Sequence, residues 1–178
     1  MNDDQIALIH RLMQRCDALS LPIWLESGWA VDARLGRVTR EHSDIDLAFP
    51  AERIAEFTAL LRSEGASNFE QMDYGFLAAL GGVLLDCEPC LWDGRAYELA
   101  GMPPGSCPAE RQGSLAGRDI RCISWDAILW EYFGYLDELP FASWPQKDVD
   151  SYRLVCATLG EPHTANLYQR YRAQNPEL

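Results

Sequence analysis

SGWAVDARLGRVTREHSDIDLAFP, residues 27–50, holds in one run a turn, a short helix, a polar loop and a strand interrupted by acids. WAVDARLG predicts two turns of helix closed by Gly36, RVTREHS a polar loop, and DIDLAF a strand stopped by Pro50. Side chains alternate along a strand, so Asp44 and Asp46 project from one face about 6–7 Å apart, while Ile45 and Leu47 point the other way. At an effective dielectric of about 20, two negative charges that close repel by about 2–3 kcal/mol. Two arrangements relieve this. The acids can face water on an edge strand, or they can share a divalent cation, whose preferred ligands are carboxylate oxygens and which keeps positions for phosphate oxygens.

A second strand pattern repeats the motif. In GVLLDCEPCLW, residues 82–92, Asp86 and Glu88 are again two apart and break an apolar run. If this strand neighbours the first, three or four carboxylates converge, enough to hold two metal ions and to take a proton from an attacking hydroxyl.

Working outward, Asp3 or Asp4 caps a helix with apolar positions Ile6, Ile9, Leu12, Met13 and Cys16, and PIWLES reads as a short strand. AERIAEFTALLRSEG is an amphipathic helix with a glycine stop. Strand candidates follow around SNFEQMD and GFLAAL, then the loop GMPPGSCP and a hairpin in SLAGRDIRCIS. From Ser124 the pattern is helical: SWDAILWEYFGYLDE, PQKDVDSYRLVCATLG, and a last helix after Pro162. The expected class is α+β, a mixed sheet flanked by helices over residues 1–122 and a helical subdomain over 123–178.

An apolar fraction of 48% in 178 residues supports a substantial core. The N-terminal stretch has acids where a signal peptide needs a basic run, and no apolar stretch reaches spanning length, so a cytoplasmic protein with no membrane partner is expected. The formal charge of −12 repels polyanions and attracts cations, which argues against nucleic acid as a partner. Cys87 and Cys90 form a CxxC, but it sits in an apolar strand with no second ligand pair, so buried thiols are the reading. No GxGxxG, GxxxxGK[ST], HExxH or GxSxG is present.

The opening stretch resembles the signature of antibiotic nucleotidyltransferases in the DNA polymerase β-like superfamily. DYGFLAALGGVLLDCEP, GSCP, AGRDIRCISWDAILWEYF and WPQKDVDSYRLVCATLG resemble, in order and over nearly the whole length, the aminoglycoside 2″-nucleotidyltransferases. Lincosamide nucleotidyltransferases share mainly the first span. The resemblance implies the polymerase β-like fold and transfer of AMP from Mg-ATP, with two ions expected, onto an aminoglycoside hydroxyl, releasing pyrophosphate and inactivating the drug. It also implies Asp44, Asp46 and Asp86 as metal ligands, with Asp86 the general base, and Ser27 and Gly28 in the turn that approaches the triphosphate. The chain departs from the pattern at Glu26 and Ser27, where relatives usually carry glycine.

Arg40, His42 and Lys147 are the candidate cations for the phosphates, with a loop-pinning role open for His42. A cationic acceptor calls for an acidic rim, for which Glu88, Glu131, Asp137 and Glu138 are candidates, with Tyr74, Tyr132 and Tyr135 for sugar faces and hydroxyls. For Asp137 and Glu138 the solvated face of a helix is the competing reading. A monomer is expected. The alternatives are adenylylation of another small hydroxyl compound such as a lincosamide, or a catalytically silent nucleotide-binding or antitoxin-like module.

Overall fold

The computed structural model describes residues 2–176. Helix α1 (Asn2–Ala18) leads into a two-residue strand β1 (Trp24–Leu25), helix α2 (Ser27–Leu35) and strand β2 (Asp44–Pro50). Gly36 closes α2 in the left-handed region at φ 67°, as the sequence predicts. A 3₁₀ turn and α3 (Ile54–Ser63) then precede β3 (Ser67–Gln71), β4 (Phe76–Leu80) and β5 (Val83–Trp92). Strand β6 (Tyr97–Leu99) was not foreseen. It is a short edge segment that pairs with the end of β5, set by that pairing rather than by any pattern of its own.

The main sheet runs β1-β2-β5-β4-β3, with β2 and β5 parallel and the remaining pairs antiparallel. This mixed sheet with helices packed around it is the predicted class. One face of β2 is apolar and fully buried: Ile45, Leu47 and Phe49 are at most 1% exposed. Phe49 stacks on Phe57 of α3 at 5.0 Å and tilts against Phe76 of β4 at 5.4 Å. Asp44 and Asp46 leave by the opposite face, so the strand is a central one and the edge-strand alternative does not apply.

The hairpin β7 (Gly113–Leu115) and β8 (Arg118–Ile120) forms, turning through Ala116 and Gly117, both at positive φ. Beyond it, residues 121–123 clasp β1: Leu25 donates to Arg121 O at 3.0 Å and Ile123 donates to Leu25 O at 2.9 Å. That clasp launches α4 (Trp125–Glu138), capped by Ser124 through Ala127 N at 3.1 Å, across the acid-bearing face of the sheet. Helices α5 (Gln146–Leu159) and α6 (Glu161–Gln174) complete the chain. Five of the six cysteines, Cys87 and Cys90 among them, are buried free thiols. No helix among the described residues is long and apolar enough to cross a membrane.

Candidate active site

Parallel pairing sets Asp46 of β2 directly opposite Asp86 of β5, with Asp44 one pleat before it and Glu88 one pleat beyond. Opposed residues on neighbouring strands share a face about 4.8 Å apart, so the four carboxylates converge. Burial, then the charges of Asp44 and Asp86, push the Asp46 carboxyl up to about 7. Burial raises Asp86 as well, against a hydrogen bond from the Tyr74 hydroxyl to Asp86 Oδ2 at 3.0 Å. Glu88 is raised by burial and by Asp86.

Two cavities meet over these acids. One, of about 200 Å³, is lined by Ser27, Gly28, Arg40, Asp44, Asp46, Lys147 and Asp148 under the rings of Tyr132 and Tyr135. The other, of about 210 Å³, is lined by Glu26, Tyr74, Asp86, Glu88 and Met102. Ser27, Asp46, Glu131 and Tyr135 border both. The first cavity holds two cations, Arg40 and Lys147, which oppose the rise in Asp46. The second holds none. Burial, then Asp46 and Glu88, push Glu131 of α4 up to about 8. Larger cavities of about 590 and 640 Å³ lie away from these acids, so volume alone does not mark the chemistry.

The turn between β1 and α2 reaches into the junction of the cavities. Ser27 holds φ 46°, a left-handed conformation unusual for a residue with a side chain. Gly28 has no room for one: a Cβ there would collide with the Arg40 guanidinium and stand 2.9 Å from the His42 ring. His42 lies beneath this turn and lines neither cavity. It is 2% exposed, joins Asp32 Oδ2 at 2.7 Å and stacks on Trp29 at 4.1 Å. Its Nε2 faces Asp32 and not either cavity, a geometry that matches the loop-pinning reading. The N-terminus of α1 holds the same loop, with Asn2 Nδ2 donating to Arg40 O at 2.8 Å and Gln5 Nε2 to His42 O at 2.9 Å.

Among the described residues, no three His, Cys, Asp or Glu side chains are already gathered closely enough to enclose a metal ion. Asp86 is instead turned to Tyr74. A pair of carboxylates, Asp44 and Asp46, beside a cation-lined cavity suits an ion such as Mg²⁺ that takes one or two carboxylates and completes its shell with water and phosphate.

A family model described as aminoglycoside-2″-adenylyltransferase matches residues 8–144. The chain belongs to this family. It is 49% identical over 174 residues to 2″-aminoglycoside nucleotidyltransferases of Escherichia coli and Klebsiella pneumoniae, covering 98% of each chain. A crystal structure of ANT(2″)-Ia in complex with adenylyl-2″-tobramycin superposes with a TM-score of 0.93 at 49% identity, covering 97% of this chain and 99% of that one. The lincosamide antibiotic adenylyltransferase LnuA, lincomycin-bound, shares the fold at a TM-score of 0.64 and 20% identity, covering 82% of this chain and 92% of that one. This aminoglycoside-2″-adenylyltransferase family member is therefore a nucleotidyltransferase, an enzyme class that uses a nucleotide and a divalent metal.

In this family member the candidate side chains other than His42, Asp137 and Glu138 line one or both cavities. Two rim candidates do not. Asp137 accepts from Tyr171 OH at 2.7 Å and from Arg172 at 2.8 Å, so it ties α4 to α6, and Glu138 stays exposed. Sequence reasoning missed Glu26, Met102 and Asp148 as lining residues. Glu26 had a signal, its departure from glycine. Met102 sits in the irregular loop after β6, which no periodicity locates.

Proposed function

We propose that this enzyme transfers AMP from Mg-ATP to the 2″ hydroxyl of an aminoglycoside, releasing pyrophosphate and inactivating the drug. The observation that carries the reading is the pairing of two cavities across Asp46, one with cations for phosphates and one whose charged lining residues are all acids. The relatives' names and the adenylylated tobramycin in the ANT(2″)-Ia complex agree with it.

In this reading Asp44 and Asp46, with Asp86 opposite on β5, would hold the metal. Mg²⁺, expected as two ions, would supply charge neutralisation on the phosphates when bound there. Arg40 and Lys147 offset the remaining phosphate charge, and the Ser27–Gly28 turn brings backbone N–H groups to the same side. Asp86 takes the acceptor's hydroxyl proton as the oxygen bonds to the α-phosphorus, and the bond to the bridging oxygen breaks to free pyrophosphate. Glu88 and Glu131 take ammonium groups of the acceptor, and Tyr74, Tyr132 and Tyr135 border its path.

We assign this site to a nucleotidyltransferase unit, residues 1–122, with residues 123–178 as a helical subdomain supplying the second wall. The same reading has the protein act as a monomer in the cytoplasm, since ATP is cytoplasmic and one chain walls both cavities. The test is pyrophosphate release from Mg-ATP with kanamycin-type and gentamicin-type aminoglycosides and with lincosamides. Turnover is expected with the aminoglycosides. Release only with lincosamides, or ATP binding with no turnover on the whole panel, would replace this reading with one of its alternatives.

A further inference from the structure

Glu26 is 5% exposed, and its Oε1 has no hydrogen-bond partner. It stands at the N-cap of α2, where an acidic side chain ordinarily turns back to the first helical N–H groups, yet it makes no such bond. Its backbone is fixed on both sides: its N–H donates to Asp46 O and its carbonyl accepts from Ala30 N, each at 3.0 Å. The side chain is thereby delivered into the acceptor cavity, where the charges facing it are Glu131, Glu88 and Asp46. No lysine, arginine or histidine lines that cavity.

A buried carboxylate oxygen with no donor is costly. The surrounding protein groups offer it none, and among the described residues no three such ligands are placed to enclose a metal there. A donor that suits the five acids lining this cavity of about 210 Å³ is positively charged and small. A primary ammonium meets both needs, with three N–H donors to spread over separate carboxylates.

We propose that Glu26 is a specificity-determining residue of this enzyme, which takes one ammonium group of the acceptor at its unpartnered Oε1 and so favours acceptors with an amino substituent near the modified hydroxyl. The inference rests on the aminoglycoside reading. The position is specific to Glu26: Glu88 and Glu131 reach the cavity from β5 and α4, whereas Glu26 reaches it from the turn that also borders the nucleotide side.

The test compares the unmodified protein with Glu26→Gln on a series of kanamycin-type acceptors in which each amino group in turn is replaced by hydroxyl. Expected is a ten- to hundredfold rise in acceptor KM in Glu26→Gln, in the range of a lost charged hydrogen bond, with the KM for ATP unchanged. One member of the series, the acceptor lacking the paired amine, should show the same KM with both proteins. Calorimetric titration of acceptors into the nucleotide-free unmodified protein should show the same member binding more weakly by a like factor, a readout that does not depend on the variant folding. Turnover by the unmodified protein with an acceptor KM unchanged in Glu26→Gln, or raised equally for every member, would overturn the role of Glu26 alone. No turnover or binding of any member by the unmodified protein would overturn the aminoglycoside reading and this inference together.

Discussion

The Tyr74 hydroxyl donates to Asp86 Oδ2 at 3.0 Å, so the proposed general base is held by a side chain that borders the same cavity. Burial raises the Asp86 carboxyl and this bond lowers it, since a donor stabilises the ionised form. Removing the donor in Tyr74→Phe therefore raises Asp86 further. A base acts only when deprotonated, so the acidic limb of the kcat/KM profile should move to higher pH. Activity is expected to fall about tenfold at the acid end and far less at the alkaline end, read from pH–rate profiles of the two proteins. Asp86→Asn should lose about 10²–10⁴ in kcat at every pH and keep nucleotide binding. Retained turnover in that variant would remove Asp86 from the role.

His42 and Asp32 are a buried pair, 2% and 0% exposed, beside the Ser27–Gly28 turn. Truncating one member of such a pair leaves the other uncompensated, at about 3 kcal/mol. Asp32 keeps its bonds from Thr39 N and Oγ1, which softens the loss. His42→Ala should lower the melting temperature by roughly 6–12 °C. A direct phosphate ligand would instead leave the melting temperature alone and raise only the KM for ATP, so both quantities need to be measured.

The reach of the sequence was set by which features are local. The DxD of β2 and the Asp86-Glu88 spacing in β5 were legible because alternation is a property of one strand. That they face one another depends on a parallel pairing across some forty residues, which spacing only permitted and the motif chain made specific. Pairing also created β6, and packing moved Asp137 from a supposed rim to a tie between two helices. The fate of His42 turned on Asp32, ten residues upstream and on another element, and no local pattern joins the two.

Gly28 tests the tightness of the turn. A methyl there meets Arg40, whose flexible end can swing aside, and His42, whose ring is clamped by Asp32 and Trp29 and cannot. The chain must yield at Arg40, one of the two cations of the cavity proposed for the nucleotide. Gly28→Ala is expected to cost about 1–3 kcal/mol of stability and to raise the KM for ATP about tenfold, the size of one lost charged hydrogen bond. Acceptor binding measured without nucleotide should change little. An unchanged KM for ATP would place the triphosphate elsewhere.

Metal and proton should compete for Asp46. With no metal the folded carboxyl titrates at about 7, against an ordinary 3.8. The folded state therefore holds the proton more tightly, and this group's contribution to stability is present below about pH 4 and lost as the pH rises through about 7. Glu131, raised to about 8, extends the loss in the same direction. Metal-free protein should accordingly melt at lower temperature near pH 8 than near pH 6. In the proposed reading Mg²⁺ binds the ionised pair Asp44 and Asp46, so the stabilisation it confers should be larger near pH 8, where no proton has to be displaced. Asp46→Asn should remove most of that increment and flatten the metal-free pH dependence. Melting curves with and without Mg²⁺ at the two pH values measure both effects, and a Mg²⁺ increment that shrinks as the pH rises would refute metal binding at this pair.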